Sequence, residues 1–174
     1  MTKYFSAAGI IGLCTYLVSI YSFQFNGIVG NTIINMNSFH NKKILLVNTA
    51  SNSPFTSQYA ELEQLHQLYK DSLVIIAFPS NSFGHEPNNN IAINLFLLQN
   101  YHPHFKIAAK ADVTGSSALP VFKWIAEIGQ NGVMNNTIAD DFYKFLIDGN
   151  GNLIGAFSST VSPMSNEIQN AIRE

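Results

Sequence analysis

Ile44-Leu45-Leu46-Val47-Asn48-Thr49-Ala50-Ser51-Asn52-Ser53-Pro54-Phe55-Thr56 is the stretch on which the reading of this chain turns. Its apolar opening, rich in strand-forming residues, predicts a buried strand. The Ser/Asn/Pro segment behind it predicts a loop. Tyr59, Leu62, Leu65, Leu68 and Tyr69 then recur at helical spacing, with Glu61, Gln64 and Gln67 on the other side. A helix is therefore expected over 57–70, with Thr56 or Ser57 available as its cap. Leu73-Val74-Ile75-Ile76-Ala77-Phe78 reads as a second buried strand. Strand, helix and strand in this order make a βαβ unit with a right-handed crossover. In such sheets the loops at the carboxyl ends of the strands are where sites sit, which directs attention to the loop carrying Ser53.

The whole chain has 174 residues, 47% hydrophobic and 11% charged, enough for one domain with a substantial core. A net charge of -2 provides no basic surface for nucleic acid. Cys14 is the single cysteine, so an intrachain disulfide, a CxxC pair and a thiolate metal cluster are all ruled out.

Working outward toward the N-terminus, Lys3 precedes an apolar run over 4–18, and no Asp, Glu, Lys or Arg follows until Lys42. That pattern predicts an export signal or a short membrane anchor over 1–18, hence an exported or membrane-anchored, extracytoplasmic protein, with a cytoplasmic one as the alternative. Membrane association through residues 4–18 and a folded domain over 19–174 are the matching expectations. Leu13 stands where a lipidation signal ahead of Cys14 would want a small residue, so lipidation is not expected. Alternating apolar positions over 19–39, with Asn26-Gly27 and Gly30-Asn31 as turn signals, predict a β-hairpin.

Toward the C-terminus, Phe78-Pro79-Ser80-Asn81-Ser82-Phe83-Gly84-His85-Glu86-Pro87 reads as the loop closing the second strand. Ile91, Leu95, Leu98 and Tyr101 predict a helix over 90–101, and Trp124 is expected in the core. A strand is expected within 138–148, then a turn at Asp148-Gly149-Asn150-Gly151-Asn152, a partner strand over 153–157 and a last helix from Pro163 to Arg173.

Four blocks of this sequence resemble one family. Residues 47–56 are similar to the glutathione peroxidase segment V-N-x-A-S-x-C-G-F-T, in which cysteine or selenocysteine reduces the peroxide; Ser53 holds that position and Pro54 the glycine after it. Residues 78–87 are similar to F-P-x-N-Q-F-G followed by E-P, with Ser82 at the glutamine. Phe105, Lys110, Asp112, Val113, Gly115, Ala118, Pro120, Phe122, Lys123 and Trp124 follow F-x(4)-K-x-D-V-x-G-x-x-A-x-P-x-F-K-W. Residues 140–148 resemble the strand that begins W-N-F and ends F-L-I-D, with Asp140 and Asp141 in the Trp and Asn places. Ser19-Ile20-Tyr21-Ser22-Phe23 also resembles the string that opens the family's hairpin.

The resemblance implies a thioredoxin-like, three-layer α/β/α sandwich with an N-terminal β-hairpin. It also implies a reactive tetrad at Ser53, Ser82, Asp140 and Asp141 whose chemistry is lost. A thiolate attacks peroxide oxygen and passes through a sulfenic acid, whereas an alcohol neither ionises at neutral pH nor climbs that oxidation ladder. No resolving cysteine lies in the expected 90–101 helix. The expectation is a pseudoperoxidase that works as a binding or scaffold module, a monomer with no cofactor, engaging a protein or small-thiol partner at the former substrate cleft. The alternative is an oxidoreductase with residual or altered thiol-dependent peroxide reduction in the oxidative-stress response.

Other chemistries have thinner support. A hydrolytic Ser53 needs a histidine base, for which His85 is the nearest candidate, and the chain has no G-x-S-x-G elbow. Asp140 and Asp141 as strand neighbours point to opposite faces, which argues against one shared cation. His102-Pro103-His104 lacks a third ligand at useful spacing, and His40 and His66 show no partner in the sequence.

Overall fold

A computed structural model describes residues 17–174. The expectations for export, anchoring and lipidation fall on residues 1–16 and their neighbours, largely outside the described range. No helix among the described residues is long and apolar enough to cross a membrane.

A two-stranded hairpin of β1 (Gln24–Asn26) and β2 (Ile33–Asn35) opens the domain, followed by β3 (Lys43–Thr49), α1 (Gln58–Tyr69), β4 (Leu73–Pro79) and α2 (Asn90–Asn100). Then come β5 (Lys106–Ile107), α3 (Pro120–Ala126), α4 (Ile128–Asn131), β6 (Lys144–Ile147), β7 (Leu153–Phe157) and α5 (Asn166–Arg173). The main sheet has the order β5-β4-β3-β6-β7, with β3, β4 and β5 parallel and β6 and β7 antiparallel to their neighbours. This is the expected thioredoxin-like three-layer arrangement.

β3 lies at the centre of the sheet and is covered on both faces, which is why it reads as an unbroken apolar run. Ile44 and Leu46 join Ile76 and Phe78 of β4 in a core closed by Val121, Phe122, Trp124 and Ile125 of α3. Leu45 and Val47, pointing the other way, join Ile75 and Ala77 against Tyr59, Leu62 and Leu65 of α1 and the buried faces of α2 and α5. Trp124 is buried as expected, and its indole N–H donates to the Val18 carbonyl at 2.7 Å.

Several local expectations are corrected. The alternating segment at Ile20 does not start a strand: Ile20–Ser22 forms a 3-10 turn in which the Ser19 hydroxyl accepts from the Tyr21 amide. The hairpin closes through Gly27 N–H to Thr32 O at 2.7 Å, and a Cβ at Gly27 would lie 2.1 Å from Thr32 Oγ1. Neither Thr56 nor Ser57 caps α1 with its side chain; the Thr56 hydroxyl donates back into the preceding loop, to the carbonyls of Ala50, Ser51 and Ser53. The last helix begins at Asn166, because the Ser165 hydroxyl takes the cap by accepting from Ile168 N, so Pro163 lies ahead of it. The expected strand within 138–148 is confined to β6. Residues 140–143 form a turn in which Phe142 adopts φ 59°.

Candidate functional site

The parallel strands β3 and β4 deliver two loops to the same edge of the sheet, and a buried carboxylate fastens them together. Glu86 accepts from the Ser51 amide at 2.7 Å, the Ser51 hydroxyl at 2.8 Å and the Asn88 amide at 3.3 Å. Its own amide donates to Asn81 Oδ1, and Asn52 N–H donates to the His85 carbonyl at 3.1 Å. The loop bearing Ser53 is thus held against the loop bearing Ser82 and His85. Asn48, at the end of β3, fixes the third segment: its Nδ2 donates to the Asp140 carbonyl at 3.0 Å and its Oδ1 accepts from the Tyr143 amide at 3.0 Å. Neither Asn48 nor Glu86 is given a role by sequence reasoning, although both lie inside the motif blocks.

The centre of the site is a pair that sequence spacing does not reveal. His85 Nδ1 lies 2.6 Å from Asp141 Oδ2, and Asp141 is fully buried. Burial pushes the Asp141 carboxyl above its ordinary pKa, the hydrogen bond and charge of His85 oppose this, the Asp140 charge adds to it, and the nearby Ser53 hydroxyl lowers it slightly. Asp141 Oδ1 has no hydrogen-bond partner among the described residues. The Ser53 hydroxyl accepts from Phe55 N–H at 3.2 Å, the bond of a loop serine. The Ser82 hydroxyl lies 3.0 Å from that of Ser80 and accepts from Val113 N–H at 3.1 Å. Of the expected tetrad positions, Ser53, Asp140 and Asp141 therefore converge, while Ser82 is engaged with Ser80 and Val113.

Among the described residues this arrangement lacks the serine–histidine contact of a hydrolase. His85 directs one ring nitrogen at Asp141, and among the described residues no hydrogen bond joins His85 to Ser53. A serine nucleophile needs that contact to lose its proton. For cations, the objection from strand alternation is corrected. Asp140 and Asp141 sit in the turn before β6, and with His85 they offer ligand atoms within 4.8 Å of one another. These three residues could take a divalent ion, although the hydrogen bond between His85 Nδ1 and Asp141 Oδ2 already engages one atom of each of those two. His104 pairs with Glu63 at 2.8 Å rather than with His102, and His40 stacks on Tyr21 with ring centroids 3.6 Å apart.

Residues 20–126 match the glutathione peroxidase family model. The chain belongs to the glutathione peroxidase family. This glutathione-peroxidase-family chain is 40% identical over 156 residues to the glutathione peroxidase-like peroxiredoxin GPX5 of Chlamydomonas reinhardtii, covering 88% of this chain and 89% of the relative. It is 34% identical to the glutathione peroxidase homolog BsaA of Bacillus subtilis (strain 168), covering 84% and 92%. Among solved structures it is similar to Trgpx in apo form, with TM-score 0.69, 29% identity and coverage of 90% and 94%. A thiol:disulfide interchange protein from Chlorobium tepidum TLS, at 15% identity and TM-score 0.63, covering 86% and 92%, shares the fold.

Proposed function

We propose that this member of the glutathione peroxidase family is a pseudoperoxidase, a binding or scaffold module that keeps the fold and does not turn over peroxide. The observation that carries the reading is the environment of Ser53: a hydroxyl beside the buried carboxylate of Asp141, itself paired with His85. A peroxidatic sulfur needs donors that stabilise a thiolate, and an anionic neighbour disfavours one. With Cys14 as the only thiol in the chain, no second cysteine is available to resolve a sulfenic acid within the domain. The partner expected at the cleft between the three loops is a protein or a small thiol, engaged by a monomer, and export or membrane anchoring through residues 4–18 belongs to the same proposal.

The test is hydrogen peroxide consumption by the full chain with thioredoxin or glutathione as reductant, beside a Ser53→Cys, Ser82→Gln, Asp140→Trp, Asp141→Asn variant. The natural chain is expected to be silent and the variant to turn over. Turnover by the natural chain at an enzymatic rate overturns the reading. The second reading, residual thiol-dependent peroxide reduction, is favoured by the 40% identity to a relative named as a peroxiredoxin.

A further inference from the structure

The cationic side chains of the described chain divide into two sets. Lys43 donates to the carbonyls of Ala171 and Ile172, Lys110 to Asn88 O, Lys123 to Ser116 O, Lys144 to Val161 O, and Arg173 to Tyr69 and Asn170. Lys42, Lys70 and Lys106 make no side-chain hydrogen bond or ion pair among the described residues. All three line one cavity of about 300 Å³, together with His66 and His104. We propose that this cavity binds a small anion carrying an apolar body, a phosphate or carboxylate on an aryl or short alkyl group.

The cavity lies at the start of the parallel strands, the end of the sheet opposite Ser53. Lys42 precedes β3, Lys70 follows α1, and Lys106 opens β5, so three separate elements bring ammonium groups to one place. Lys70 is at home at a helix C-terminus, but Lys42 and Lys106 have no such reason to be there. Like charges gathered at one place repel one another, and a bound anion relieves that repulsion. The one carboxylate that reaches the histidines, Glu63, is already held by the His104 ring and amide, both at 2.8 Å.

His66 supplies a second, independent sign. The residue lines the cavity, and its Nδ1 is buried without a hydrogen-bond partner among the described residues, a polar atom left unsatisfied beside the three ammonium groups. Burial lowers its pKa, and the charges of His104, Lys106 and Lys70 lower it further while Glu63 opposes them. The walls supply the apolar half of the specificity: Phe39, Leu73, Val74 and Phe105 line the same cavity, and Lys106 Nζ sits 5.5 Å from the centroid of the Phe39 ring. Its size falls at the lower end of small-molecule pockets, which suits a single ring or a short chain rather than a nucleotide. The inference is independent of whether the chain reduces peroxide.

The experiment is a titration of the full chain with phenyl phosphate, followed by NMR at the His66 and His104 ring protons. Saturable shifts are expected, weakened at least about tenfold in a Lys70→Gln, Lys106→Gln variant and weakened again by added salt. Inorganic phosphate and benzyl alcohol, each carrying one half of the ligand, should bind at least about tenfold more weakly than phenyl phosphate. Vesicles of phosphatidylglycerol should leave the histidine shifts unchanged. No saturable shift, or equal affinity in the double variant, overturns the proposal. Displacement of phenyl phosphate by the vesicles also overturns it, by moving the site to a lipid head group. Both substituted lysines are exposed, so the variant keeps its fold.

Discussion

Asp141 determines what its neighbours can do. With a carboxylate beside residue 53, a cysteine placed there by Ser53→Cys alone would carry a raised thiol pKa. We expect slow alkylation by iodoacetamide at pH 7.5, accelerated roughly tenfold when Asp141→Asn is added, in line with a pKa difference of about one unit. The His85–Asp141 pair was not legible in the sequence. The two residues are 56 positions apart, and they meet only because Phe142 takes a left-handed φ of 59° and turns Asp140 and Asp141 out of the strand that their pattern suggests. Ser53 was legible, because its loop follows from the strand before it and the helical period after it.

Individual elements are held in place by buried polar groups. Glu86 accepts three hydrogen bonds: two from Ser51 join the loop after β3 to the loop after β4, and one from Asn88 braces the second loop itself. Glu86→Gln sets an NH2 against one of those donors, and we expect a loss of about 1–3 kcal/mol in urea unfolding. Lys144, at the start of β6, is fully buried and donates to the Val161 carbonyl at 2.6 Å, fastening the segment after β7. Burial pushes its ammonium down to about 7, with the Glu61 charge opposing. Below that value both folded and unfolded chains hold the proton and Lys144 adds no slope. Between about pH 7 and 10 the unfolded chain holds the extra proton, so stability rises with pH. Thermal unfolding of the natural chain relative to Lys144→Met should show a Tm gain of roughly 2–8 °C from pH 6.5 to 9 that the variant lacks. Among the elements, α1 and α2 were legible within a residue or two of their ends. The four residues of α4 and seven of α3 were not, since so short a segment completes too few turns to display a period.

At the scale of the whole molecule, β3 carries both cores. Ile44 and Leu46 belong to one face and Leu45 and Val47 to the other, all without exposure to solvent. Leu46→Ala is expected to cost about 2–5 kcal/mol, read as a lower urea midpoint with an unchanged slope. The layer order was legible because an apolar run that is covered on both sides reads without alternation, and the crossover then has one allowed hand. The hairpin was legible only as a hairpin: Ser19 and Asn35 draw nearby backbone into 3-10 turns, competing locally with the strands. Trp124 is the only tryptophan of the chain, and its indole N–H is anchored on Val18 at the very edge of the described residues. The protein therefore carries its own fluorophore at the point where the N-terminal segment joins the domain. A red shift of its emission, without added dye or label, would register any event that pulls this junction away and lets water reach the indole.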